Sequence, residues 1–248
     1  MAGIDTERII WKLDSLLDRK DYEGSEKLLD YWLAEAIALG DARSELSLRN
    51  EAMGLARKLG KKEKALENGE RACGLVSLLG MENTATGGTT FLNYATVLKA
   101  FGMAGQALDF YEKAEKIYLG TLEEGDVRFG GLYNNRALAL ADCGMYMEAE
   151  ECYKKALSVM ENAEGGEPER AVTLLNMADN EVMSCGRKVN RTALNYVEEA
   201  RRLLESAEKR DGNYAFVCEK CAPVFGYYGM SGYEEELKAR AEEIYGNG

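Results

Sequence analysis

The sequence predicts an all-α fold, a right-handed solenoid of about six helical hairpins. The main observation is a period of 42 residues, which one glycine column and two alanine columns keep along the chain. These columns are Gly60, Gly102, Gly144 and Gly186, then Ala65, Ala107 and Ala149, then Ala72, Ala114 and Ala156. Two further observations favour helices: apolar residues recur at helical spacing within each period, and the chain has only two prolines.

Each period predicts two helices joined by a tight turn. The first helix of one period has an apolar stripe at i, i+3, i+4 and i+7, formed by Phe91, Tyr94, Ala95 and Leu98. The stripe closes at Gly102, because glycine can adopt the left-handed conformation that ends a helix. The second helix follows with Ala107, Leu108, Tyr111, Ala114 and Ile117. Its alanines let two helices approach closely, while the larger residues fill the wider gaps.

Weaker helical patterns extend the array to both ends. A degenerate hairpin is predicted over residues 4–40 and a capping hairpin over residues 212–246. The last helix is rich in Glu and Lys, which suits a terminal cap because it must end a stacked core with a solvated face. No linker is long enough to separate domains, so we expect residues 1–248 to form a single array. The expected boundaries between hairpins are 40–41, 81–88, 123–126, 165–168 and 211–212.

One stretch of the chain carries a family resemblance. Residues 144–157 have the sequence GMYMEAEECYKKAL, which resembles the turn and second helix of a tetratricopeptide repeat. Its Ala-x-x-x-Tyr-x-x-Ala core recurs as Ala107, Tyr111 and Ala114. The 42-residue period is similar to that of kinesin light chains, and residues 132–137 resemble the Leu-Asn-Asn-Leu-Ala opening of that type. The clear resemblance covers residues 45–209 and implies a tetratricopeptide solenoid.

Asparagine recurs in the first helix of four successive periods. The column consists of Asn50, Asn93, Asn135 and Asn176. Each lies two residues before an alanine of the apolar stripe, which rotates it about 200° away from that alanine. In tetratricopeptide families this asparagine points into the groove and hydrogen-bonds a bound peptide, so the resemblance implies peptide binding here. The alternative is that the four amides only satisfy local or inter-repeat hydrogen bonds.

Charged residues accompany the asparagine column. Arg57 and Lys99 are expected on the same groove face, and Arg136 occupies a stripe position where the family usually has leucine. We include these three cations among the candidate peptide-binding residues. Glu51 occupies the position equivalent to Arg136, and each either pairs with an opposite charge on an adjacent helix or extends into the groove. The sequence lacks the paired lysines and second asparagine of carboxylate-binding members, so no carboxylate clamp is expected.

The charge balance argues against several partner classes. The chain has 43 acidic and 31 basic residues, a net charge of −12, which repels nucleic acid and anionic lipid. No apolar run approaches the roughly 20 residues of a membrane span. The N-terminus has neither the basic start nor the apolar stretch of a secretory signal, so we expect a cytoplasmic protein.

The titratable residues do not predict an enzyme. The chain has no histidine, which removes the commonest general base and metal ligand. Cys218 and Cys221 have half the spacing of a zinc site, but no second pair completes it, so we expect both in the core. Gly87 and Gly88 lack the lysine of a phosphate loop and predict a turn with a helix cap. We therefore expect no catalytic residues, no metal and no cofactor.

These patterns favour a non-enzymatic adaptor or scaffold. It would bind a peptide segment or a protein surface in its concave groove. The alternative is a structural module that forms a homodimer through its terminal hairpins and has no peptide ligand. An enzyme or small-ligand regulator built on the solenoid is the third and least favoured hypothesis.

Overall fold

A computed structural model describes residues 4–246 of the chain. That range contains twelve α-helices and no strand. The prediction of an all-α helical repeat is therefore confirmed. Within the same range, no helix is long and apolar enough to cross a membrane.

The first six helices form one compact unit, which ends at Glu123. They are α1 (Thr6–Asp18), α2 (Tyr22–Leu39), α3 (Ala42–Lys58), α4 (Lys62–Leu78), α5 (Ala85–Ala100) and α6 (Ala104–Thr121). They pack as three hairpins, α1 with α2, α3 with α4, and α5 with α6. Contacts of α2 with α3 and of α4 with α5 join neighbouring hairpins, and the first helices α3 and α5 also touch.

The last six helices form the second compact unit, which begins at Glu124. They are α7 (Arg128–Asp142), α8 (Tyr146–Glu161), α9 (Glu167–Ser184), α10 (Arg191–Ser206), α11 (Gly212–Tyr227) and α12 (Ser231–Gly246). The hairpins are α7 with α8, α9 with α10, and α11 with α12. The first helices lie side by side, because α9 contacts both α7 and α11.

The glycine column marks the turn inside the four central hairpins, from α3–α4 to α9–α10. All four members have positive φ angles of 70° to 79°, a left-handed conformation that glycine adopts at little cost. At Gly102 the backbone N–H donates to the Lys99 carbonyl at 3.1 Å, and the following N–H, from Met103, donates to the Leu98 carbonyl at 2.9 Å. These bonds satisfy carbonyls that the end of α5 would otherwise leave unpaired.

The two alanine columns lie in the core. Every alanine of both columns is fully buried, as are Ala193 and Ala200, which continue them two residues late. Tyr111 and Tyr153 are also buried and fill the space beside the alanines. The prediction that these small and large residues are packed inside the array is thus confirmed by their burial.

The structure corrects one predicted boundary. The sequence places Gly87 and Gly88 in a turn, but α5 already contains both, with Thr84 as its N-cap. The Gly87 N–H donates to the Thr84 Oγ1 at 3.1 Å. A Cβ at Gly87 would lie 2.2 Å from the Met81 carbonyl oxygen, and one at Gly88 would lie 2.7 Å from the Tyr118 ring. Close packing therefore requires glycine here, although glycine is a poor helix former.

The later boundaries agree with the sequence. Pro168 lies in the first turn of α9, where its missing N–H costs nothing. Asp211 caps α11 by accepting two backbone N–H groups, at 3.0 and 3.2 Å. Cys218 and Cys221 lie on α11 and are buried in the core, as predicted.

Candidate functional site

In the first unit, the predicted asparagines are hydrogen-bonded to each other. Asn50 on α3 and Asn93 on α5 are half-buried, and the Asn93 Nδ2 donates to the Asn50 Oδ1 at 3.2 Å. The Asn50 Nδ2 also donates to the Leu46 carbonyl at 3.0 Å and to the Thr90 Oγ1 at 3.1 Å. Both N–H bonds of Asn50 are thereby used, one within α3 and one across to α5. This pair links two neighbouring hairpins.

In the second unit, the amides are used differently. The Asn176 Nδ2 on α9 donates at 3.0 Å to the Oδ1 of Asn134 on α7, so the bridge uses the residue before Asn135. Asn135 is half-buried and makes no hydrogen bond to any residue that the structure describes. An amide carries two donors and an acceptor, and here all of them are available to a ligand.

Asn134 and Asn135 line a cleft of about 540 Å³. Its walls are the N-terminal halves of α7, α9 and α11, together with the end of α8 and the loop that follows it. This volume lies within the roughly 300–1,000 Å³ that is usual for ligand sites in proteins. All of the lining residues belong to the second unit.

The apolar part of the cleft is formed by residues from two helices, α9 and α11, and by the N-cap of α7. They are Val127, Pro168, Val172, Phe216 and Val217. Phe216 keeps 50% of its surface exposed, so a large apolar contact surface remains uncovered. Gly131 lines the same cleft, and no described atom lies within 4 Å of the position that its Cβ would take. A side chain at this position would therefore extend into the open cleft.

The polar part of the cleft carries paired charges. The Asn213 Nδ2 donates to the Glu169 Oε1 at 2.8 Å and ties α11 to α9. The Lys209 Nζ lies 3.0 Å from the Asp211 Oδ2. The hydrogen bond from Lys209, helped by N–H groups at the start of α11, lowers the pKa of Asp211, which is therefore ionised at neutral pH. Lys220 adds an exposed ammonium group.

The arrangement suits recognition of an extended chain. Peptide groups of a ligand can exchange hydrogen bonds with the amides, while one of its apolar side chains contacts Phe216. Among residues 4–246, no group of three or more His, Cys, Asp or Glu residues is placed to hold a metal ion. All six cysteines in that range are free thiols, of which Cys143 and Cys185 are exposed.

None of the three predicted cations lines the cleft. Arg57 is exposed near the end of α3, and Lys99 is half-buried in the last turn of α5, both in the first unit. Arg136 is half-buried on α7 beside Asn135 but does not line the cleft. Glu51 is half-buried on α3, where burial and then the charge of Asp14 raise its pKa.

Three residues of the site were missed by sequence reasoning. Asn134 accepts a hydrogen bond from Asn176, and the 42-residue period could have indicated this pair, since the two residues are 42 positions apart. Asn213 and Phe216 lie in the degenerate last period, where no column could be aligned. Only the packing of α11 against α9 brings them to the cleft.

Comparison with protein families finds one match. Residues 129–209, about a third of the chain, match the model of the tetratricopeptide repeat. No curated protein matches the sequence.

Three solved structures are similar in fold. BtubC (BKLC) from P. vanneervenii has a TM-score of 0.68 at 21% identity, covering 81% of this chain and 80% of its own. TPR-like repeats assigned to a kinesin light chain of Podosopora anserina have a TM-score of 0.58 at 16% identity, covering 82% and 94%. NprR in complex with its cognate peptide NprX has a TM-score of 0.53 at 15% identity, covering 98% and 68%.

At these identities the likeness shows the fold alone. The predicted resemblance to tetratricopeptide repeats, including those of kinesin light chain type, is confirmed.

Proposed function

We propose that this protein is a non-enzymatic interaction scaffold that holds an extended peptide segment of a partner protein in the cleft of the second unit. A tetratricopeptide-type fold supports a role in protein–protein interaction. The observation that carries the finer proposal is the Asn135 amide, which is half-buried beside the cleft and has no hydrogen bond among the described residues. Such a half-buried amide is still accessible, so a ligand can pair with it without breaking a hydrogen bond between described residues.

Two kinds of contact would hold the segment. The Asn135 side chain donates to a carbonyl and accepts an N–H of the bound backbone, which requires no particular side-chain sequence. Phe216 packs against an apolar side chain of the segment and supplies the specificity. NprR, whose fold is similar, binds a peptide, and this analogy supports the proposal.

The first unit would supply a second contact surface. The side chains proposed to reach the partner there are Asn93, Arg57 and Lys99. Asn93 keeps an Oδ1 that accepts no hydrogen bond from the described residues, whereas Asn50 already uses both donors. We therefore propose a supporting role for Asn50 and a direct one for Asn93. Arg136 and Asn176 would support the cleft from α7 and α9.

The proposal is tested by closing the cleft. A displayed library of random peptides is selected on the full chain, and the selected peptides are titrated against two variants. Gly131→Leu places a side chain in the cleft, so we expect it to weaken binding at least about tenfold. Gly74→Leu is the matched control, because Gly74 is also exposed and helical with no described atom within 4 Å of its Cβ position.

The control should bind normally, and neither variant should lose stability, since leucine is a better helix former than glycine. Selected peptides that bind Gly131→Leu as well as the parent chain would show that the cleft is not the site.

Self-assembly through the terminal hairpins is a second candidate function. The observation that favours it is the N-terminal hairpin, where Trp11 is 73% exposed and Tyr31 is 59% exposed. Large exposed aromatic residues on a terminal hairpin are typical of a surface that contacts another chain.

A further inference from the structure

The outer face of the N-terminal hairpin combines aromatic residues with cations. Arg8, Trp11 and Lys12 have the i, i+3, i+4 spacing of one face of α1. On α2, the exposed Tyr31 ring packs edge-on against Trp32 with centroids 5.2 Å apart. The N-terminal hairpin therefore exposes large aromatic rings together with positive charge.

A cleft of about 370 Å³ lies between α1 and α2 at this face. Its apolar lining is Ile9, Leu28 and Trp32, and its polar lining is Asp5, Arg8 and Lys12. The two cationic side chains have no partner in the described part of the chain. Asp5 is already used as the N-cap of α1, where it accepts the Arg8 backbone N–H at 3.0 Å. The cleft therefore offers two unpaired positive charges beside an apolar surface.

The complementary surface is at the other end of the sequence. Helix α12 buries Leu237 and Ala241 against its own unit. On a different face, Glu235, Ala239 and Glu242 are exposed at i, i+4 and i+7. Neither glutamate is paired with a described residue, whereas the neighbouring Glu234 and Glu236 have ion pairs within α12. This face is acidic, and its small central residue allows close approach.

We propose that α12 of one copy docks on the N-terminal hairpin of a second copy, head to tail. Glu235 and Glu242 then pair with Arg8 and Lys12, and Ala239 lies over the apolar lining of the cleft. The proposal develops the self-assembly function and is independent of peptide binding in the second unit. The two surfaces differ, so the contact is heterologous: copies joined by it form a closed ring where the rotation between them closes and an open filament where it does not. Because exposed charges contribute, association should weaken as salt is added.

Two charge-reversal variants test the pairing. One is Arg8→Glu with Lys12→Glu, and the other is Glu235→Lys with Glu242→Lys. Sedimentation of the full chain over a range of concentrations should show growing mass for the parent protein at low salt. Each variant alone should associate at least about tenfold more weakly, because like charges then face each other.

An equal mixture of the two variants should recover the association of the parent, since every contact between the two different variants again joins opposite charges. The matched control, Lys62→Glu with Lys116→Glu, makes the same charge change at exposed positions of the first unit and should associate like the parent.

Four results would overturn the proposal. The parent chain could stay monomeric, the control could lose association equally, or the mixture could fail to recover association. Finally, the α1 variant could associate more weakly while the α12 variant associates like the parent. The last result would indicate contact between two N-terminal hairpins. Helical circular dichroism of each variant excludes unfolding as the cause. Peptide titration of the α1 variant is the independent readout, because the cleft of the second unit is untouched in it.

Discussion

At the scale of single residues, the asparagines differ in how far their amides are already used. Asn50 makes three side-chain hydrogen bonds, and Asn135 makes none with the described residues. We expect Asn135→Ala to weaken binding of a selected peptide by about 0.5–1.5 kcal/mol, or about 2-fold to 13-fold, with little change in stability. Titration of peptide and urea unfolding of the same variant measure both effects.

Asn50→Ala is the contrasting variant and should show the opposite pattern. It removes bonds that link α3 to α5, so we expect the free energy of unfolding to fall by about 1–3 kcal/mol. Peptide affinity in the second unit should be unchanged. If Asn135→Ala unfolded more easily and bound peptide normally, Asn135 would be a structural residue and the cleft proposal would lose its main support.

The position of the asparagine column could be predicted from the sequence, but the use of each amide could not. Spacing places Asn50 and Asn135 at equivalent points of their helices, outside the apolar stripe. Whether an amide then meets a neighbour depends on what the adjacent helix carries. Thr90 lies within reach of Asn50, while Asn134 takes the bridge to Asn176 and leaves Asn135 unbonded to described residues. Which neighbour each amide meets is decided by positions that differ by a few ångströms. These positions follow from helix packing, and the repeat pattern of the sequence does not reveal them.

At the scale of helices, two glycines of α4 have opposite packing roles. A Cβ at Gly69 would lie 2.2 Å from the Tyr94 ring of α5, whereas none of the described atoms lies within 4 Å of a Cβ at Gly74. We expect Gly69→Ala to lower the free energy of unfolding by about 1–3 kcal/mol, because Tyr94 must move. Gly74→Ala should raise it by about 0.5–1 kcal/mol through helix propensity. Urea unfolding of both variants is the measurement, and equal effects would contradict the packing described for α4 and α5.

A buried ion network joins α3 and α4 and should make the first unit sensitive to acid. Glu45 is 5% exposed and accepts from the Nε of Arg49 at 2.8 Å and of Arg71 at 3.1 Å. Burial raises the pKa of Glu45, but the hydrogen bonds from the two arginines outweigh it and hold the pKa below its ordinary value. A carboxyl group with a lowered pKa stabilises the fold above its ordinary pKa. That contribution is lost as the pH falls through the pKa of the folded state.

Glu45→Gln should therefore lose about 3 kcal/mol at neutral pH, since it leaves the partly buried Arg49 without its charge partner. Its stability should also fall less between neutral and acidic pH than that of the parent. The control is Glu63→Gln, an exposed glutamate of α4 with little expected effect. Parallel pH profiles of Glu45→Gln and the parent would mean that the network does not contribute to acid sensitivity.

At the scale of the whole chain, stability should depend on which hairpins are left intact. Each hairpin packs on its sequence neighbours within a unit, so a cut between hairpins removes few contacts. We expect a fragment ending at Gly165 to remain helical but to be less stable than the full chain. A fragment ending at Gly144 keeps α7 without α8. We expect some of its remaining residues, chiefly those of α7, to lose their helical structure as well. Circular dichroism per residue and urea unfolding compare the two, and a fully unfolded 1–165 fragment would contradict nearest-neighbour stacking.

The sequence predicted the number and order of helices well, because each turn glycine and core alanine repeats. The prediction failed at residues 87–88, where glycine is required by packing against Met81 and Tyr118 and not by a turn. Glycine composition alone cannot separate these two causes, since both depend on the absence of a Cβ. The cleft could not be predicted either, because it depends on how α7, α9 and α11 lie together in three dimensions.

The buried alanine columns also separate the residues that fix helix spacing from the residues proposed to contact a ligand. Ala65, Ala107, Ala149 and Ala193 are all fully buried, and they set the distance between paired helices without contacting solvent. Residues such as Asn135 and Phe216 lie outside these columns, so mutation can alter them without changing helix spacing. Selection for a new ligand could therefore act on the exposed helix faces while the interior stays constant. The same separation makes the chain a suitable starting point for grafting designed peptide-binding sites.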